Sequence, residues 1–115
     1  MASDYNSAQA FKVARHFEYK NGMNIETISA DKDLTYKDAQ HQIITNDKGS
    51  SATIKVPAKR NGAYFWFKND AASGDPFVIQ DADGNPIIGG GGLAAGKAAC
   101  VVCDGSSWAV LFQQA

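Results

Sequence analysis

The stretch NGAYFWF, residues 61–67, joins a tight-turn dipeptide to a run in which both alternating sets of side chains are large and apolar. Asn-Gly accepts the positive φ angles of tight hairpin turns, so it is a strong local signal for antiparallel pairing. Three similar dipeptides lie between other short runs: Asn21-Gly22, Asp83-Gly84 and Asp104-Gly105. No convincing helical pattern separates them. The sequence therefore predicts an all-β fold of antiparallel hairpins, a small sandwich or a jelly-roll-like barrel.

Alternation of apolar and polar residues predicts further strands on either side of this stretch. Residues 52–56 alternate until a proline ends the pattern, and residues 42–45 and 23–27 form two more candidate strands. The polar residues 31–38 read as a connection. The four glycines at 89–92 predict a loop in which the backbone approaches another segment closely.

The N-terminal residues divide into two parts. Residues 1–9 are small and polar, which predicts an arm that is flexible unless a partner docks it, followed by a single β-domain over residues 10–115. Phe11 to Lys20 alternates with a period of two and predicts the first strand of a hairpin. A helix over the same stretch remains an alternative, because Ala8, Phe11 and Ala14 share one helical face.

Two runs are apolar on both faces of a strand, residues 63–67 and residues 109–112. Doubly buried strands normally belong to parallel sheets covered by helices, and no helix is predicted here. A domain of this size has little interior to spare, so burial against other subunits is expected. One sandwich layer with a few exposed aromatic side chains is the alternative. The candidate core or subunit-interface residues are Tyr64, Phe65, Trp66, Phe67, Trp108, Val110, Leu111 and Phe112.

The charge of the chain is balanced, with 11 basic and 12 acidic residues and a net charge of −1. This composition lacks the excess of basic residues that is typical of proteins that bind nucleic acid or an anionic membrane. Residues 1–10 lack the basic and apolar regions of a secretory signal. The longest apolar run is far shorter than a membrane span. We therefore expect a soluble protein made in a cytoplasm, with neither nucleic acid nor membrane as a partner.

The two cysteines form the sequence Cys100-Val101-Val102-Cys103. A redox pair with this spacing needs a helix N-terminus, whereas the surrounding residues predict a strand. On a strand, positions three apart point to opposite faces and lie about 10 Å apart, which is beyond the reach of a disulfide. A structural zinc site needs four ligands, and no second pair is present. Two unpaired, largely buried thiols are the prediction, with a redox pair as the alternative.

Several motifs come close to known ligand sites. Residues 91–98 nearly spell a phosphate-binding loop, but Ala98 replaces the hydroxyl residue that holds magnesium. Residues 81–85 echo a calcium loop, but the glycine comes at the fourth position instead of the sixth. His16 and His41 are far apart and lack catalytic partners in sequence. The sequence predicts no catalytic residue, no cofactor and no metal.

The order of strands and turns after Ser51 carries a resemblance. It runs through Val56-Pro57, Asn61-Gly62-Ala63-Tyr64-Phe65-Trp66-Phe67-Lys68-Asn69, Asp83-Gly84, Leu93-Ala94-Ala95-Gly96, Asp104-Gly105 and Trp108-Ala109-Val110-Leu111. This order resembles a β-rich module of tailed-phage virion proteins, found in head decoration proteins, head fibres and tail fibres. The resemblance covers about residues 51–112, with a weaker match over residues 34–45. The two cysteines and the four-glycine run depart from the pattern.

The resemblance implies a homotrimeric virion structural protein without catalysis. Fibres usually have repeats or shaft segments, and none appears here, so a capsid decoration or cement protein is the closer match. Such a protein is made in the bacterial host cytoplasm, binds the major capsid protein on the outer capsid lattice and stabilises the DNA-filled head. Residues in the N-terminal arm are the candidate capsid contacts, namely Asp4, Tyr5 and Asn6. An arm without any role is the alternative.

A different class of function remains open. Tyr64, Trp66 and Trp108 could line a sugar-binding face on a tail-fibre or head-fibre receptor-binding module, because flat aromatic rings and polar loops suit carbohydrate. An enzyme is the third possibility. Strand and turn patterns alone do not separate these functions.

Overall fold

The computed structural model describes residues 22–72 and 74–115, which form nine strands and no helix. The all-β prediction is confirmed for these residues. The predicted arm, the predicted strand over residues 11–20 and the capsid-contact candidates Asp4, Tyr5 and Asn6 lie outside them. The strands are β1 Met23–Ile28, β2 Lys32–Asp33, β3 His41–Asn46, β4 Ala52–Lys55, β5 Tyr64–Asn69, β6 Phe77–Gln80, β7 Pro86–Leu93, β8 Ala98–Cys103 and β9 Trp108–Gln113.

The strands form two mixed sheets that enclose a common core. The five-stranded sheet has the order β1-β3-β5-β8-β9, and the four-stranded sheet has the order β2-β4-β6-β7. From β1 to β6 the chain changes sheet at every connection. It therefore returns to each sheet in the same direction, and the pairs β1-β3, β3-β5, β2-β4 and β4-β6 are all parallel. The remaining pairs, β5-β8, β6-β7 and β8-β9, are antiparallel.

The prediction of an antiparallel sandwich built from hairpins is wrong for the first six strands. Asp83-Gly84 and Asp104-Gly105 do join antiparallel neighbours. Asn61-Gly62 also forms a tight turn, since the amide of Ala63 bonds to the carbonyl of Arg60, but this turn joins β4 and β5 of different sheets. A turn dipeptide fixes a local reversal of the backbone, and it does not determine which strand becomes the neighbour.

The core lies between the sheets and takes the inward residues of both. In β5, Phe65 and Phe67 are fully buried, and their rings lie 6.3 Å apart between centroids. Fully burying each such side chain stabilises the fold by about 1.5–3 kcal/mol. Trp66 between them faces outward and is 38% exposed. The run over residues 63–67 is therefore buried on one face within a single chain, and burial of the other face against further subunits stays a prediction.

The polar connection over residues 31–38 contains a strand that the sequence did not predict. Lys32 pairs with Ile54 of β4, so its side chain points into the space between the sheets. There its ammonium group forms an ion pair with Glu26 of β1. Asn24 donates a 2.8 Å hydrogen bond to Gln42 beside this pair. The end of the sandwich formed by β1 and β2 is thus closed by polar side chains.

The four glycines are part of strand β7, where a loop was predicted. The pairing of β7 with β6 shifts between Ile79 opposite Ile88 and Phe77 opposite Leu93, so the glycines bulge out of the ladder. The predicted close approach is present at Gly92, where an added Cβ would lie 2.8 Å from the carbonyl oxygen of Phe77.

Candidate functional site

All the large hydrophobic side chains that are exposed in the described residues belong to the five-stranded sheet. They are Met23, Ile25, Trp66, Val110, Leu111 and Phe112. The four-stranded sheet contributes none of them in residues 22–72 and 74–115. Hydrophobic exposure is therefore concentrated on one sheet of this part of the molecule.

The strand register brings several of these side chains into one row. Met23 pairs with His41, His41 with Trp66, Trp66 with Cys100, and Cys100 with Phe112, across all five strands. Directly paired residues point to the same face of a sheet, and this face is the outer one because the alternate residues enter the core. A second row beside it consists of Ile25, Ile43, Lys68 and Ala98. These two rows are named the apolar face.

The half of the apolar face toward β9 carries a packed aromatic pair. The rings of Trp66 and Phe112 lie 6.2 Å apart between centroids at an angle of 45°. Cys100 lies between them in the register and is only 1% exposed. Burial raises the pKa of the Cys100 thiol, which keeps it protonated and a poor nucleophile. This cysteine acts as a small apolar residue under the two rings.

The apolar face carries little charge. Of the residues in its two rows, Lys68 is the one permanently charged side chain, and His41 is the one other titratable group besides the buried thiol. Neither row contains a carboxylate. The surface is therefore suited to contact with another apolar surface.

The sequence-predicted candidates separate into two groups. Phe65, Phe67 and Trp108 lie in the core. Trp66, Val110, Leu111 and Phe112 are exposed, and Tyr64 is half-buried. Trp108 packs on Phe65 with 6.1 Å between ring centroids, and its indole Nε1 donates a 3.2 Å hydrogen bond to the carbonyl of Pro57. It therefore takes no part in an exposed aromatic surface.

Met23 and Ile25 belong to the apolar face, and sequence reasoning missed them. The alternation in β1 suggested that its apolar residues face the core. In the structure β1 has the opposite orientation, with Asn24 and Glu26 inward and Met23 and Ile25 outward. The inward partner of Glu26 is Lys32 on a strand of the other sheet, so the sequence of β1 does not reveal this orientation.

A second surface feature is a polar depression of about 150 Å³ beside the start of β5. Its lining includes Tyr36, Asp38, Arg60, Asn61 and Tyr64. The Arg60 guanidinium stacks 3.9 Å from the centre of the Tyr36 ring, and the Tyr36 hydroxyl donates to the carbonyl of Ala58. Burial raises the pKa of Tyr36. The depression thus combines aromatic, cationic, carboxylate and amide groups.

The structure explains the sequence patterns that resemble a calcium loop, a phosphate-binding loop and a redox cysteine pair. Asp81 accepts hydrogen bonds from the amides of Asp83, at 3.0 Å, and Asn85, at 2.8 Å, and so shapes the hairpin turn between β6 and β7. The segment after Lys97 is strand β8, in place of the helix that a phosphate loop requires. The cysteines are unpaired and buried, as predicted. Residues 22–72 and 74–115 contain no group of three or more potential metal-ligating side chains.

Comparison with known proteins finds no match to a protein family, a curated protein or a solved structure. Within the part of the chain that the structure describes, no helix has the length and hydrophobicity to cross a membrane. The function is therefore argued from the surfaces of this molecule and from the resemblance in its sequence.

Proposed function

We propose that this chain is a non-enzymatic structural protein of a tailed-phage virion, a capsid decoration protein that assembles as a homotrimer on the outer surface of the head. The observation that carries the proposal is the apolar face, which holds Trp66, Phe112 and Ile25 outside the core of the single chain. Contiguous apolar surface on a soluble domain marks a contact with another molecule.

The chemistry of the described residues supports a contact function. The two thiols are buried, and the carboxylate of Asp81 is used in a turn. The resemblance to phage virion modules is the reason for proposing a homotrimer in a virion. Several of the residues that carry the resemblance lie in or next to strands β4, β5, β8 and β9. The net charge of −1 is compatible with a protein that coats a particle and does not bind the nucleic acid inside.

The proposed mechanism is stabilisation by mass action. A protein that binds only the assembled lattice stabilises it by RT ln(1 + [L]/Kd), about 2.7 kcal/mol when its free concentration is 100 times Kd. The major capsid protein is the proposed partner, and the N-terminal residues Asp4, Tyr5 and Asn6 are the proposed contacts with it.

Expanded heads that lack the protein provide the direct test. Purified protein is added, the heads are pelleted, and bound protein and the temperature of DNA release are measured. We expect the protein to pellet with the heads and to raise the release temperature. Deletion of residues 2–9 is the matched variant, and it should weaken head binding without changing the folding of residues 22–115. Full-length protein that remains in the supernatant at saturating concentration would contradict the proposal.

The second candidate is a tail-fibre or head-fibre receptor-binding module that recognises host-surface carbohydrate. The depression at Tyr36, Arg60 and Tyr64 favours it, because aromatic and hydrogen-bonding groups together suit a sugar. Of the three aromatic residues first considered for this role, Tyr64 lines the depression, while Trp108 is in the core. Binding of labelled protein to host cells but not to heads would favour this candidate, and Tyr64→Ala should then reduce cell binding.

A further inference from the structure

The geometry points to the apolar face as the contact between copies of this chain, with a second copy as its occupant. This inference rests on the proposed function in that both require the protein to self-associate. It adds the surface that makes the contact, namely the two rows that run from Met23 and Ile25 on β1 to Phe112 on β9.

The charge of the face favours a copy of the same chain over a charged partner. With Lys68 and His41 as its titratable groups apart from the buried thiol, two copies of the face bring no dense like charge together. A strongly acidic or basic partner would find no cluster of opposite charges on this face. The chain as a whole has a net charge of −1, so copies repel one another only weakly.

The shape of the face also suits a copy of itself. It is the outer surface of a five-stranded sheet, and sheets pack face to face about 10 Å apart with side chains interdigitating. Trp66 on the central strand β5, at 38% exposure, and Phe112 on the edge strand β9, at 48%, project from it. In a ring of three copies the contact between neighbours is heterologous, so one part of the face would meet a different part of the neighbour's face.

The edge strands β1 and β2 are less suited to association. Glu26 on β1 and Lys32 on β2 point inward at the end where both strands border their sheets within the described residues. Inward charges on edge strands oppose the addition of further strands. Association through the outer face is therefore favoured over pairing of these edges.

The size of the face predicts reversible association. With strands about 4.8 Å apart and about 3.3 Å per residue, the outer surface of a sheet of five six-residue strands, on which the two rows lie, spans roughly 20 by 20 Å. A standard interface buries about 800 Å² per partner, and the plane of this whole outer surface is about half of that. We expect an equilibrium between free and associated chains that depends on concentration.

Lysine substitutions on the two outer faces give a matched test. Ile25 is 72% exposed, so Ile25→Lys should leave the single chain folded, and Phe112→Lys places the charge at the β9 end of the face, next to Trp66. Val78→Lys makes the same kind of change on the outer side of the four-stranded sheet, where Val78 is half-buried. Sedimentation velocity of the full-length proteins over the micromolar range is the measurement, with circular dichroism to confirm folding.

Wild type and Val78→Lys should associate over the same concentration range. Ile25→Lys and Phe112→Lys should require about tenfold or more higher concentration. Folded lysine variants on the apolar face that associate as wild type does would overturn the inference. So would a wild type that stays monomeric over the whole concentration range. Self-association through this face without any binding to heads would support the inference while contradicting the proposed function.

Discussion

Gly92 is the glycine at which the fold most directly excludes a larger side chain. Its φ is +75°, and an added Cβ would lie 2.8 Å from the carbonyl oxygen of Phe77, in the backbone of the neighbouring strand. Left-handed backbone costs an alanine roughly 1–2 kcal/mol, and the backbone clash forces a further shift of the strand pair. Gly91 is the neighbouring control, because nothing lies within 4 Å of its added Cβ and its φ is outside the left-handed region.

We expect Gly92→Ala to lower the free energy of unfolding by about 2–4 kcal/mol, the sum of backbone strain and local overpacking. Gly91→Ala should change it by less than about 1 kcal/mol. Urea denaturation of both variants at one protein concentration is the measurement. Equal destabilisation by the two substitutions would mean that the bulge relaxes and that the contact with Phe77 is not restrictive.

Asp81 makes a pH-dependent contribution through the turn that it shapes. Hydrogen bonds from the amide and side chain of Asn85 and from the amide of Asp83 hold the pKa of this carboxyl below its ordinary value. Because the folded-state pKa is depressed, this stabilisation is complete above the unfolded-state value of about 4. It is lost as the pH falls through the lower folded-state value.

The free energy of unfolding of the wild type should therefore decrease as the pH falls from about 5 to about 2. Asp81→Asn keeps a carbonyl oxygen that accepts from the turn amides, but it cannot titrate. We expect this variant to be less stable than wild type at neutral pH, with a difference that shrinks in acid. Urea denaturation at a series of pH values checks this, and parallel curves for the two proteins would show that Asp81 does not titrate differently on folding.

At the scale of the single residue, burial in β4 and β8 could be predicted from the sequence. Ala52 and Ile54 face the core as their alternation indicated. The unpaired state of Cys100 and Cys103 also followed from strand geometry. The orientation of β1 could not be predicted, because Met23 and Ile25 alternate as core residues do. Its orientation is fixed by the inward ion pair between Glu26 and Lys32, and Lys32 lies on a strand of the other sheet.

At the scale of the element, the end of β5 is held by one buried asparagine. The side-chain amide of Asn69 donates to the carbonyls of Leu93, at 2.9 Å, and Asp75, at 3.2 Å. Its backbone exchanges hydrogen bonds with Gly96 and Lys97 in the turn before β8. The residue is fully buried. One side chain thus connects β5 to the end of β7 and to the segment before β6.

Asn69→Asp tests this connection with almost no change in volume. A carboxylate cannot donate to two carbonyl oxygens, and it would bury a charge beside them, so we expect a loss of about 3 kcal/mol or more in the free energy of unfolding. Asn61→Asp, at an exposed asparagine, should cost under about 1 kcal/mol. If the two variants unfold at the same urea concentration, the Asn69 amide bonds do not stabilise the fold as described.

The positions of several strands could be predicted, and their neighbours could not. Alternation located β1 and β4, a short run at residues 42–45 located β3, and the aspartate-glycine turns located the two hairpins that are antiparallel. Strand β2 has only two residues and no periodicity to detect. Parallel pairing depends on where the chain returns after crossing to the other sheet, and local sequence carries no direct signal for that return.

At the scale of the whole molecule, the alternation between sheets joins them into one folding unit. The core cluster takes Phe65 and Val101 from the five-stranded sheet and Ile54, Phe77 and Leu93 from the four-stranded sheet. Each connection from β1 to β6 crosses from one sheet to the other. Neither sheet can therefore be exposed to solvent without disrupting the strands and the buried surface of the other.

We therefore expect two-state unfolding of the described domain, with no intermediate in which one sheet survives. Trp66→Phe leaves Trp108 as the one tryptophan, and its indole lies in the core that both sheets share. Its fluorescence and the far-ultraviolet circular dichroism should follow the same transition in urea, measured at a low protein concentration where self-association is negligible. A fluorescence transition that comes clearly before the circular dichroism transition would mean that the core opens while strands remain paired. In that case the sheets would be separable units, and the crossing connections would not couple them.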